Sequence, residues 1–138
     1  LSELTKIEET LKQLPTAYTP SNHIFTQGLY TRETFLPQGT SAIGKRHRHS
    51  TLNILTKGTM TVALDDDINH SVTLEAPCAF ESKAGAKKLV HCHTDCIILN
   101  VHRTDSTDLE ILENELTVED IEADKAWYTS KEEPTCHG

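Results

Sequence analysis

The spacing of apolar residues changes period twice along the chain, near residue 22 and again near residue 108. Leu4, Ile7, Leu11 and Leu14 recur at intervals of three, four and three, which is one face of a helix. Ser2 suits the N-cap, Glu3 the first turn and Pro15 the end. A helix of about thirteen residues is marginal alone. Its seam therefore needs a surface, either on its own domain or on a neighbouring subunit. Thr16 to Asn22 reads as a linker.

Beyond Asn22 the period becomes two, as in strands. Ile24 to Gly28 and Leu29 to Leu36 read as short strands, with a turn over Pro37 to Thr40. Ser41 to His49 leads into a strand that Leu52 to Thr56 extends, and Gly58 turns the chain. Thr59 to Leu64, His70 to Leu74, Cys78 to Glu81, Lys88 to Cys92 and Cys96 to His102 complete the set. Asp65 to Asp67 forms an acidic hairpin tip. Many short strands punctuated by Gly, Pro and Asp predict an all-β core, an antiparallel sandwich or barrel. Asp108 to Leu116 returns to helical spacing, with Leu109, Leu112 and Leu116 on one face. Thr117 to Asp120 resembles a capping box for a second short helix reaching about Trp127, and Ser130 to Gly138 is a polar tail. The layout is a helix over 1–15, a linker over 16–22, a barrel over 23–104 and an acidic helical arm over 105–138.

Strand parity makes the first chemical suggestion. If residues 47–55 are extended, His47, His49, Asn53 and Leu55 share one face. Leu52 and Ile54 then point outward, where an isolated barrel leaves them exposed unless another sheet, an arm or a subunit covers them.

Composition narrows the partners. The 138 residues suit one domain, and an apolar fraction of 36% suits a compact core with solvated flanks. A net charge of −8 argues against nucleic acid or an anionic membrane. The charge is uneven: Lys45, Arg46 and Arg48 surround the histidines, and acids dominate from Asp105 onward. The longest apolar run, Cys96 to Leu99, is too short to span a bilayer, and the start lacks a basic-then-apolar region. The expectation is a soluble, unexported chain. Cys78, Cys92, Cys96 and Cys136 are too irregular for a disulfide scaffold and read as free thiols.

His47 and His49 are candidate ligands for a divalent first-row metal ion, with His91, Asn100 or His102 as further donors. His91, Cys92, His93 and Cys96 form a second cluster around a tight turn. Zinc would need four convergent donors, and opposite strand faces part His91 from Cys92. A Cys92–Cys96 disulfide is a further option, and plain hairpin residues are the simplest reading. No acid–base pair, Ser–His–Asp order or phosphate-cradling glycine loop stands out.

At His47-Arg48-His49 and the glycines beyond, the chain resembles the cupin superfamily. That family's first motif places two histidines one residue apart, then a glutamate, then a glycine. His47 and His49 match, Asn53 stands in the glutamate position and Gly58 falls near the closing glycine, while for the glycine that opens the motif Gly44 is too close and Gly39 too remote. The second motif has Pro-x-Gly and then a histidine. Here Lys83-Ala84-Gly85 and Lys88 replace them. The likeness covers about residues 23–103 and implies a jelly-roll barrel. Leu52-Asn53-Ile54-Leu55-Thr56-Lys57-Gly58, Ala76 to Lys88 and Asn100 to Glu113 further resemble small cupin-like proteins of tailed bacteriophages.

An active cupin holds its metal with about four ligands, and the motif positions here supply two. The resemblance implies a phage origin, and the degraded metal motif, the N-terminal apolar seam and the acidic C-terminal arm make the expectation a non-enzymatic phage structural or assembly protein, a virion component found in the virion or the host cytoplasm. It would need no cofactor and would partner with copies of itself and other phage structural proteins, through Leu4, Ile7, Leu11, Leu14, Leu52 and Ile54. The alternative is a metal-dependent cupin enzyme or small-ligand binder using His47, His49 and His102.

Overall fold

The computed structural model describes residues 6, 7, 9, 10, 19–44, 46–64 and 67–116 of the chain. Two antiparallel sheets face each other across one core. The larger has the order β1 (Ser21–Thr26), β2 (Leu29–Leu36), β9 (Cys96–Arg103), β4 (Thr51–Lys57) and β7 (Cys78–Ser82). The smaller has the order β3 (Ser41–Ile43), β8 (Lys88–Cys92), β5 (Thr59–Leu64) and β6 (Asp67–Glu75). The all-β core expected from the period-two pattern is therefore present. Helix α1 (Leu109–Leu116) follows, started by Asp108, whose Oδ1 accepts from the backbone N–H groups of Glu110 (2.9 Å) and Ile111 (3.3 Å).

Alternation places the core. Leu36, Leu55, Phe80 and Ile98 of the larger sheet meet Met60, Val62, Leu74 and Cys92 of the smaller one. Phe80, Leu55 and Met60 have no exposed surface. Each such side chain contributes about 1.5–3 kcal/mol by leaving water. A second cluster of Tyr30, Leu112 and Leu116 fastens α1 to the barrel.

Two boundaries differ from those the sequence suggested. β1 begins at Ser21, inside the expected linker, because Ser21 and Asn22 pair with Thr34 and Glu33 of β2. Backbone N–H of Phe35 also donates to Pro20 O at 3.0 Å, which carries the pairing past the strand's start. The long histidine strand is not continuous: β3 ends at Ile43 and β4 begins at Thr51, and His47 makes only an isolated bridge. The hydrogen bonds of this segment go elsewhere. Arg46 Nη1 donates to Gly85 O (2.9 Å), Gly85 N–H to His47 O (2.8 Å), and Arg48 N–H to Leu116 O at the end of α1 (2.7 Å).

Lys6, Ile7, Glu9 and Thr10 are helical, as the N-terminal seam predicts, and Ile7 is half-buried. Leu4, Leu11, Leu14, the hairpin-tip residues Asp65 and Asp66, the second C-terminal helix and the polar tail lie outside the described residues. Among those described, no helix is long and apolar enough to cross a membrane.

Candidate functional site

The inner face of the larger sheet is built in rows of paired residues. One row is Ser21, Thr34, Ile98, Leu55 and Cys78. The next is His23, Arg32, Asn100, Asn53 and Phe80. Beyond it lie Phe25, Tyr30 and His102. The polarity therefore rises from an apolar floor to a stripe of donors and acceptors, and the hydrophobic core stops where that stripe begins. Above the floor is a cavity of about 590 Å³. Leu36, Met60, Val90 and Ile98 line its base. Arg32, His47, Lys88, Asn100 and His102 line its polar side, and Leu109, Leu112 and Leu116 of α1 close one end.

Asn53 organises the polar side. It has no exposed surface. Its Nδ2 donates to Ser82 Oγ at 2.7 Å. Its Oδ1 accepts from Asn100 Nδ2 at 2.6 Å and from Lys88 Nζ at 3.2 Å. Lys88 belongs to the opposite sheet, so this contact bridges the barrel interior. Its amino group lies 5.3 Å from the centroid of the Phe80 ring. Burial lowers the Lys88 pKa to about 8.

Four rings run along the mouth. His23 Nδ1 and Tyr30 OH are 2.7 Å apart. Tyr30 stacks on His102 at 5.9 Å between centroids, and His102 meets His47 edge-on at 4.8 Å. Thr51 Oγ1 lies 3.3 Å from His47 Nδ1. Burial first, then the charges of His102, Lys88 and Arg32, push His47 down to about 3. Burial, Lys88 and Arg32 lower His102 as well. Both imidazoles are therefore neutral at physiological pH. Burial raises the Tyr30 pKa and keeps the phenol protonated.

The sequence-derived donors do not all converge. His47 and His102 do. His49 is exposed and does not line the cavity. Same-face parity holds only on extended strand, and β4 begins two residues after His49. His91 and His93 are exposed and lie edge-on at 5.2 Å, while Cys92 and Cys96 are buried in the core. The proposed thiolate–imidazole cluster is thus split between two faces. Cys92 and Cys96 are free thiols, not a disulfide. Cys78 is disulfide-bonded, which corrects the reading of all four cysteines as free.

Arg32, Tyr30 and His23 were not singled out from the sequence. The signal was available for Arg32: it shares parity with Tyr30, Thr34 and Leu36 on β2, and an arginine on an inward parity is unusual.

The set does not fit a divalent metal. Two imidazoles are present, but the third position holds the Lys88 ammonium, which repels a cation. The carboxamide oxygen at Asn53 already accepts two hydrogen bonds. Among the described residues, no carboxylate lines the cavity and no group of three His, Cys, Asp or Glu side chains converges.

Comparison by structure finds cupin proteins. A cupin superfamily protein from Desulfitobacterium hafniense superposes with a TM-score of 0.53 at 13% identity, over 67% of this chain and 83% of that one. An RmlC-like cupin with a double-stranded β-helix fold from Methanocaldococcus jannaschii gives 0.53 at 16%, over 65% and 84%. An iron(II) form of HppE in complex with substrate gives 0.53 at 9%, over 64% and 56%. At these identities the likeness is one of fold. No protein-family model and no curated protein sequence matches the chain.

Proposed function

We propose that this cupin-fold protein binds a small molecule inside its barrel, between the polar stripe of the larger sheet and α1. The observation that carries the reading is the cavity itself. About 590 Å³ falls within the range of small-ligand sites, roughly 300–1,000 Å³, and an apolar floor with a few convergent polar groups is their usual composition. His47, His102, Asn100 and Lys88 supply those groups.

A thermal-shift screen of small metabolites tests the reading. The expected result is a saturable rise in Tm with at least one class of compound, lost when Ile98→Trp fills the floor. No shift with any compound, together with no small molecule released when the purified protein is denatured, overturns it.

A second reading is favoured by a separate surface. Ile24, Leu52, Ile54, Leu99 and Val101 lie on the outer face of the larger sheet, by the pairing of β1 with β2, β2 with β9 and β9 with β4. Ile24 and Leu52 are 44% and 46% exposed. Such a band supports assembly with another copy of the chain. The virion role rests on the sequence resemblance alone.

A further inference from the structure

We infer that the barrel takes an organic carboxylate, with Lys88 and Arg32 as its counter-charges and the apolar floor holding its body. This rests on the small-molecule reading above and adds the ligand's chemistry to it.

The argument begins with charge. The chain as a whole is acidic, at −8. Yet among the described residues the cavity is lined by Arg32, Lys83 and Lys88 and by no Asp or Glu. Lys83 is already paired, its Nζ 2.8 Å from Glu81 Oε1. Lys88 is different. Its amino group donates to a neutral carboxamide, Asn53 Oδ1, and lies beside the Phe80 ring. It has no carboxylate partner among the described residues. Arg32 has none either; its Nε donates to Ser21 Oγ at 3.2 Å.

A desolvated cation without a counter-ion is costly, and a bound anion removes that cost. The surroundings also refuse a second cation. Burial, with the fields of Lys88 and Arg32 added to it, holds His47 and His102 neutral. Lys88 reaches across from the smaller sheet to Asn53 Oδ1, and Arg32 stands in the same inner row of the larger sheet as Asn53, with Asn100 between them. Neighbouring strands are about 4.8 Å apart, which sets the Arg32 and Asn53 backbones on the order of 10 Å from each other. Asn100 and the neutral imidazoles add hydrogen-bonding groups between the charges.

The rest of the cavity describes the ligand's body. A carboxylate alone leaves most of about 590 Å³ unfilled. Leu36, Met60, Val90 and Ile98 call for an apolar portion, and Tyr30 and His102 present ring faces to it. The fitting class is a small organic acid with a partly apolar or cyclic body.

Calorimetric titration with matched pairs tests this: benzoate against benzyl alcohol, glucuronate against glucose, and hexanoate against hexanol. At least one acid is expected to bind about tenfold or more tightly than its neutral partner. Lys88→Met is expected to weaken that acid roughly 30-fold or more, as loss of a buried charge partner does. It should also leave Tm unchanged or raised, because an uncompensated buried ammonium has been removed. Arg32→Gln, at a more exposed position, should weaken binding by a smaller factor with Tm unchanged. Neutral partners that bind as well as their acids overturn the carboxylate proposal and leave the small-molecule reading standing. Undiminished affinity in folded Lys88→Met also overturns the proposal, and so does phenyl phosphate binding more tightly than benzoate. No binding by any probe, with nothing released on denaturation, overturns both readings.

Discussion

Asn53 and Lys88 are the residues on which the interior depends. At the positions that the sequence resemblance aligns with a cupin glutamate and histidine, this chain has an amide and an amine that bond to each other. The exchange is mutually consistent in hydrogen bonding: an amide oxygen accepts from an ammonium, although it leaves the charge without a counter-ion. Asn53→Leu keeps the volume roughly constant but removes partners from Ser82, Asn100 and Lys88. Loss of such a buried network should cost about 2–4 kcal/mol, read from urea denaturation. The histidines make the stability pH-dependent. An unfolded His47 takes up a proton near pH 6.5, whereas the folded one refuses it until about 3. Its contribution is therefore complete above pH 6.5 and is lost as the pH falls toward 3, by up to about 1.4 kcal/mol per pH unit. His102 acts in the same direction. Lys88 acts at the other end: the unfolded amine keeps its proton to about 10.5 and the folded one to about 8, so stability rises between those values. The groups facing this cluster are Arg32 and Tyr30 of β2 and His23 of β1. The urea midpoint should fall below pH 6.5, and His47→Gln should flatten that fall.

Among the elements, the β4–β5 turn and α1 carry the tightest constraints. Gly58 has φ +93°, and a Cβ there would strike Asp95 O, Cys96 Sγ and Thr94 Oγ1. Gly58→Ala should therefore destabilise the protein by about 2 kcal/mol or more, from backbone strain and displacement of the facing turn. Its Tm gives the check. Helix α1 closes the cavity with Leu112 and Leu116 against Tyr30. Leu112 is only 2% exposed. Leu112→Ala should cost about 2–4 kcal/mol in the packing of that helix. Amide hydrogen exchange should then speed up across 109–116, with the β4 and β9 amides unaffected. The helix was legible beforehand from Leu109, Leu112 and Leu116, and the Asp108 cap agrees with the expected start. The break before β4 was not legible. It follows from bonds to Gly85 and Leu116, residues far along the chain whose positions no local pattern discloses.

At the scale of the whole molecule, two surfaces compete for a functional role: the inside of the barrel and the outer face of its larger sheet. They are compatible, since adjacent residues of β4 point alternately to each. Asn53 faces in, while Leu52 and Ile54 face out. If the outer face joins copies, Leu52→Glu with Ile54→Lys should lower the sedimentation coefficient without altering ligand binding. Deletion of residues 1–15 asks whether the N-terminal seam contributes to the same contact. Unchanged sedimentation in both variants removes the assembly reading.

The layered β architecture, the inward parity of Asn53, the outward parity of Leu52 and the parting of His91 from Cys92 were all legible in the chain's residue pattern. All of these follow from the two-residue period of a strand, a local property. Which side chains meet follows from tertiary structure: Arg32, Lys88 and His102 come from strands of two sheets and His47 from the segment before β4, and the fold brings them to one cavity. It also decided that His49 stays outside, because the chain bends where parity assumed it was straight. Local spacing sets which way a side chain points. What it meets there depends on pairing between distant strands, and that pairing turned an apparent metal-binding strand into one wall of a positively charged pocket.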